Sequence, residues 1–301
     1  MSAPSGGVWD KLGNSYEAVW TVDRMIDVFL RQYASITPEP LGDEAIGIEF
    51  VLKMQDGASE YHSVKRQTQK PDWSVALLCE ASPKTGRSIL GDLFDKLLVE
   101  PVAKLVFVSS TGANHLLQIA ERAQLQATYR SLRDSLSQTL QPQLTNRLYP
   151  LCGSDENRTL ASLKALEVIS RTQLDLTRSV DQRIDLHFYR KDGALMDAGD
   201  VRRRLHEYAI NHLGETLTTE MIRSHLDESG YGNRDWRTDR HLLDLVDKLN
   251  ERYRSVVETE LINGAQLSRT DTETVGVARC AISPQTHDRV GHVGSCSSGR
   301  R

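Results

Sequence analysis

Residues 41–67 read LGDEAIGIEFVLKMQDGASEYHSVKRQ, and the rest of the chain is organised around them. Ala45–Met54 is rich in strand formers and alternates so that Ile46, Ile48, Phe50 and Leu52 share one face, with Glu49 and Val51 opposite. Asp56-Gly57 is a strong turn dipeptide, and Glu60–Arg66 is a return strand on which Tyr61, Ser63 and Lys65 share a face. The stretch predicts a β-hairpin with an acid on one strand and a lysine on the next.

Upstream, Val19, Val22, Met25, Ile26, Phe29 and Leu30 recur at helical spacing. They predict a helix capped by Ser15 and running to Ile36 or a little before it. Glu17 falls in its first turn, where it either offsets the helix dipole or lends a carboxylate to the hairpin. Downstream, Lys70-Pro71-Asp72 breaks the chain and Trp73-Ser74 opens a short helix that contains Cys79. Ser88–Leu98 is an amphipathic helix ended near Pro101. Ala103–Ser109 is an apolar, β-branched run, the pattern of a strand buried on both faces. Thr111-Gly112 turns it into a helix over about 114–126. Helix, hairpin, helix, buried strand and helix in that order predict an α/β fold, a mixed sheet flanked by helices in three layers.

Beyond about Thr128 the chain reads as mainly helical. Apolar residues at 3.6 spacing mark Tyr129–Leu140, Asn157–Ser170, Asp200–Leu213, Thr218–Ser229 and Arg240–Leu261, and Arg183–Tyr189 is one strand-like interruption. Arg202-Arg203-Arg204 is either a solvated helix face or a DNA contact. The tail from Val277 has no usable periodicity and reads as disordered or free of folding constraint. The expected divisions are an α/β domain over 1–135, a helical region over 136–265 that positions or oligomerises it, and a tail over 266–301.

A formal net charge of -4 argues against a uniformly basic nucleic-acid coat, but leaves room for a local basic cleft. The four cysteines are far apart and form no CxxC pair, which argues against a zinc ribbon or disulfide framework. No histidine pair has metal-ligand spacing. With no signal-peptide pattern and no run long enough to span a membrane, the expected location is the cytoplasm.

The chemistry rests on the hairpin. Phosphodiester hydrolysis requires shielding a dianionic transition state and activating a water, work for carboxylates that hold Mg²⁺ and for a lysine near the water. Glu39, Asp43 and Glu44 lead into the first strand, Glu49 lies within it and Lys65 is on its partner. Grouped acids repel one another without a cation, which argues for a metal if they converge. The alternative is that Glu49 and Lys65 are an ordinary cross-strand surface pair.

Tyr16-Glu17, Glu39-Pro40, Gly47-Ile48-Glu49 and Ser63-Val64-Lys65-Arg66, in this order, resemble the PD-(D/E)xK nuclease superfamily. The likeness covers about residues 13–125 and is nearest to the Mrr-like and CD-NTase-associated DNA endonuclease domains of bacterial antiphage systems. It implies that Glu49 and the Val64 carbonyl bind Mg²⁺, with Mn²⁺ as a substitute, that Lys65 assists the attacking water, and that Glu39 and Glu17 complete the acidic cluster. It also implies that the chain is a metal-dependent endonuclease acting on DNA, double-stranded DNA favoured, the alternative being a catalytically weak nuclease-fold module that serves in nucleic-acid binding or protein assembly. Ser63 departs from the family, standing where an acid or glutamine is expected.

Residues 253–264 and Leu267-Ser268-Arg269 resemble the junction before the ATPase of antiviral STAND-type proteins. Gly291–Ser298 marks where a phosphate loop would begin, but Cys296 and Ser297 replace its glycine and lysine. The likeness implies an effector module cut off, or out of frame, at an ATPase start, with a missing ATPase domain or an ATPase partner.

Overall fold

A computed structural model describes residues 15–42, 46–66, 72–83 and 85–234. Expectations for Asp43, Glu44, Ala45, Lys70, Pro71 and everything beyond Arg234 lie outside these residues, and so do the second likeness and the tail. The residues up to Arg234 belong to one compact unit.

The first helix, α1 (Ser15–Phe29), buries Val19, Val22, Met25, Ile26 and Phe29 as its spacing requires. It stops at Phe29, short of Ile36. Arg31 takes a positive φ of 61° and the chain turns back as β1 (Ser35–Pro38), in which Ile36 is a buried strand residue. The hairpin follows as β2 (Phe50–Lys53) and β3 (Ser59–Lys65). Its turn is closed by the Met54 amide donating to the Ala58 carbonyl at 2.8 Å, and by the Ala58 amide donating to Asp56 Oδ1 at 3.0 Å.

After the hairpin come α2 (Val75–Cys79), capped by Ser74, and α3 (Ile89–Val99), capped by Ser88. Next are β4 (Lys104–Ser109), α4 (Asn114–Gln124) and α5 (Tyr129–Ser135). A continuous helical run follows, made of α6 (Gln141–Gln143), a π-turn (Leu144–Leu148) and α7 (Tyr149–Leu151). The unit closes with α8 (Glu156–Ala165), β5 (Leu166–Ser170), α9 (Gln173–His187), β6 (Phe188–Arg190), α10 (Ala198–Asn211), β7 (Leu217–Thr218), α11 (Thr219–Glu228) and β8 (Tyr231–Asn233).

Six strands form one mixed sheet in the order β5-β4-β3-β2-β1-β7. The four strands from β3 to β7 are antiparallel to their neighbours, while β4 and β5 run parallel to β3. Helices cover both faces. Val51, Tyr61, Leu105 and Phe107 pack against α2 to α5 and α8, and Phe50, Leu52, Val64, Val106 and Val108 pack against α1, α9, α10 and α11. The expected mixed sheet flanked by helices is therefore present.

Three local expectations fail for identifiable reasons. Ile48 does not share a face with Phe50 and Leu52. Gly47 takes a φ of 76°, β2 begins only at Phe50, and Ile48 packs in the core of the opposite face. With both faces buried, alternation sorts apolar residues between two cores and not between core and water. Residues 166–170 are a strand, where buried Leu166 and Val168 alternate with exposed Glu167. Residues 183–187 are helical, because Leu176, Val180 and Ile184 recur every fourth residue on the buried side of α9. Since β5 and β7 join the sheet, the boundary expected at residue 135 falls inside the compact unit.

Candidate functional site

Where β2 gives way to the turn at Gly47, β3 continues past it, and this exposes one end of the sheet to side chains from several elements. Glu49 sits one residue before β2. Its amide donates to the His62 carbonyl at 2.9 Å, and its own carbonyl accepts from the Glu39 amide at 2.8 Å. Its carboxylate then substitutes for the missing strand. Oε2 accepts the Val64 amide at 2.5 Å, and Oε1 accepts from the Lys65 ammonium. The Lys65 carbonyl accepts from Ser110 on the β4 side. Strand alternation therefore turns the Val64 amide and carbonyl together toward Glu49.

Burial works against the Lys65 ammonium, but the Glu49 carboxylate, followed by Glu17 and Asp92, outweighs it and holds the pKa above the ordinary lysine value. Glu49 and Lys65 are 16% and 27% exposed, so this is not the open cross-strand surface pair that spacing alone would allow. Glu39 follows β1 with a φ of 41°. It lines one small pocket together with Glu17, Glu49, Pro38, His206 and Ile210. The structure thus brings Glu17, Glu39, Glu49, Val64 and Lys65 to one end of the sheet. Ser63 is fully buried, and its hydroxyl finds no partner among the described residues.

Sequence reasoning missed Asp92, in the first turn of α3. A β-carbon on Gly47 would fall 2.3 Å from the Asp92 Cβ, so the turn before Glu49 lies directly on this aspartate. Burial raises the Asp92 carboxyl against the pull of Arg87 and Lys96. Arg87 Nη1 stands 3.7 Å from Asp92 Oδ1. Asp92 faces a second hollow of about 340 Å³, shared with Tyr61, Arg87 and Lys96. An acid four residues after the Ser88 cap was visible in the sequence, but nothing in its spacing tied it to Gly47.

The donors suit Mg²⁺ or Mn²⁺ in kind, being oxygens and mostly anionic. Glu49, the Val64 carbonyl, Glu39 and Glu17 are the groups that would hold such an ion. Among the described residues, no three acidic, histidine or cysteine side chains are already gathered as a metal cage. The arginine run on α10 is paired within the chain. Arg202 meets Asp181, Arg203 meets Asp200 and Glu207, and Arg204 Nε meets Asp200 at 2.8 Å. Among the described residues, no helix is long and apolar enough to cross a membrane.

No family model matches the chain, and no curated protein matches it. Among solved structures, it is similar to the Cap4 SAVED/CARF-domain containing receptor of Moraxella osloensis. Identity is 11%, the match covers 72% of this chain and 48% of that one, and the TM-score is 0.38. The Acinetobacter baumannii Cap4 receptor with the cyclic trinucleotide 3'3'3'-cAAA matches at 10% identity, over 71% and 45% of the two chains, with a TM-score of 0.37. The chain spans about half the length of these receptors. They are named as receptors and not as PD-(D/E)xK nucleases. This corrects the superfamily expected from the motif order, and with it the DNA endonuclease function and the antiphage-endonuclease assignment. Likeness this distant assigns no ligand to the present chain.

Proposed function

We propose that the sheet end at Glu49 and Lys65 is a divalent-cation site at which a phosphodiester is bound and hydrolysed. The observation that carries this reading is the position of the Glu49 carboxylate, held by the Val64 amide on the side toward which the Val64 carbonyl also opens, with Lys65 in contact. A cation there would neutralise charge on the ester and lower the pKa of a bound water. Lys65 would neutralise charge developing on the phosphoryl oxygens, at a point where partial burial strengthens the interaction. Glu17 and Glu39 supply the negative field of the pocket, and its apolar wall at Pro38 and Ile210 limits the water around the ester.

The test is release of p-nitrophenolate from bis(p-nitrophenyl) phosphate by the full chain with Mg²⁺ or Mn²⁺, beside an EDTA control. Glu49→Gln and Lys65→Ala are each expected to lower the rate by about 100-fold or more. Metal-dependent release that survives both substitutions would place the chemistry elsewhere and sink the proposal.

A further inference from the structure

The two edges of the six-stranded sheet are not alike. β7 closes one of them with only Leu217 and Thr218, too short to template another strand. β5 closes the other with Leu166–Ser170, which holds no proline and no lysine and keeps an unbroken register with β4. It thus lacks the usual devices by which an edge strand refuses a partner. The Arg171 amide donates to the Ser109 carbonyl at 3.0 Å, so the backbone groups of residues 167, 169 and 171 face β4. Those of Val168 and Ser170 face outward, and no strand among the described residues meets them. Beside this edge a hollow of about 530 Å³ lies between β5 and α4, lined by Leu117, Ala120 and Val168, with room for a further strand.

The one charge on β5 is Glu167, which is exposed, and Arg171 is exposed on the same face four residues later. In an antiparallel pair of β5 strands centred on Ile169, each Glu167 stands opposite Arg171 of the second copy. Ile169 meets its own counterpart at the two-fold axis, and the outward-facing Val168 and Ser170 exchange both of their backbone hydrogen bonds. A pair centred on Val168 would set Glu167 against Ile169, and one centred on Glu167 would set like charges together. Charge therefore selects one register, and the partner that fits it is the same strand reversed. We infer that β5 is a dimerisation edge, at which two copies of this chain join in an antiparallel pair about Ile169 and their sheets become continuous. Because β3, β4 and β5 run parallel, the two-fold axis turns the two Glu49–Lys65 sheet ends away from each other. The inference does not depend on what that site binds.

Sedimentation velocity of the full chain between about 0.1 and 100 μM tests the pairing, with a monomer expected at the low end and a dimer at the high end. Glu167→Arg and Arg171→Glu each set like charges across the axis, and each is expected to weaken the dimer about tenfold. The double variant Glu167→Arg/Arg171→Glu should return to within about threefold of wild type. Ser170→Pro removes an outward amide without touching a bond to β4, and should weaken the dimer about tenfold or more. If the proline variant unfolds, the charge reversals, both at exposed positions, carry the test alone. A wild type still monomeric at about 100 μM would overturn the inference. So would a dimer indifferent to the charge reversals, since another surface would then join the copies, or one that the double variant fails to restore.

Discussion

Gly47 and Gly57 both hold positive φ, 76° and 88°, but they differ in what a side chain would meet. At Gly57 there is open space, whereas at Gly47 a Cβ lands on Asp92. Gly57→Ala should therefore cost about 1 kcal/mol for the backbone conformation alone, and Gly47→Ala at least about 2 kcal/mol, because the turn must also move. Urea denaturation measures both, and equal costs would remove the steric argument. A second residue-scale device lies on the opposite face of β3. Trp20 Nε1 donates to His62 Nδ1 at 3.2 Å, so Nε2 carries the proton and donates to Glu60 Oε1 at 2.8 Å, where Tyr33 also donates. Burial pushes the imidazole below its ordinary value of 6.5, against the weaker upward pull of Glu60. The unfolded chain therefore binds the proton first. The stability from neutral His62 is complete above about pH 6.5, and falls below it by up to about 1.4 kcal/mol per pH unit. Urea midpoints between pH 5 and 8 should decline more steeply on the acid side in wild type than in His62→Gln; identical slopes would discount this histidine.

At the scale of elements, the joint between α1 and α9 is ionic. Arg183 on α9 bonds both Asp23 and Asp27 of α1, and Arg24 pairs with the same two acids while stacking over Trp20. Asp23 and Asp27 are nearly fully buried, so removing one guanidinium leaves carboxylate charge with half its compensation. Arg183→Met should destabilise the unit by about 2 kcal/mol, less than the loss of an entire buried pair because Arg24 remains. A change below about 0.5 kcal/mol in denaturant unfolding would show that Arg24 suffices alone. Elements whose cause is local were legible in the sequence. The Asp56-Gly57 turn closes on its own side chain, and Ser88 caps α3 by accepting the Gly91 amide at 3.1 Å. Elements whose cause is distant were not. β5 is five residues that merge with the helical pattern before them, and it is a strand because β4 offers a parallel partner. In residues 183–189, Ile184, Leu186 and Phe188 alternate over a short window, but Leu176, Val180 and Ile184 over a longer one make most of that stretch helix.

Across the whole molecule, the approach of Glu39, Glu49 and Lys65 to one end of a hairpin could be foreseen from strand period and loop position, while Glu17 stayed open between a helix-dipole role and the hairpin. Asp92 could not be foreseen, since its place depends on how α3 packs across the sheet end. The same dependence governs stability. A chain ending at residue 135 would keep the hairpin and β4, but lose β5 and α8 from one core and α9, α10 and α11 from the other. Phe50, Leu52, Val64, Val106 and Val108 would be left with α1 as their only helical cover, and β4 would become an open, apolar edge. Residues 1–135 are therefore expected to aggregate or unfold without cooperativity, and residues 1–234 to unfold in one transition whose denaturant slope matches a single unit of that size. A soluble 1–135 fragment with a sharp transition and the full chain's Mn²⁺ affinity would show that the site needs only the hairpin side of the sheet. Failure of that fragment beside a cooperative 1–234 would mean that the acidic end is held in shape by packing from elements far along the chain, as α11 (Thr219–Glu228) packs against α1 (Ser15–Phe29) in this fold.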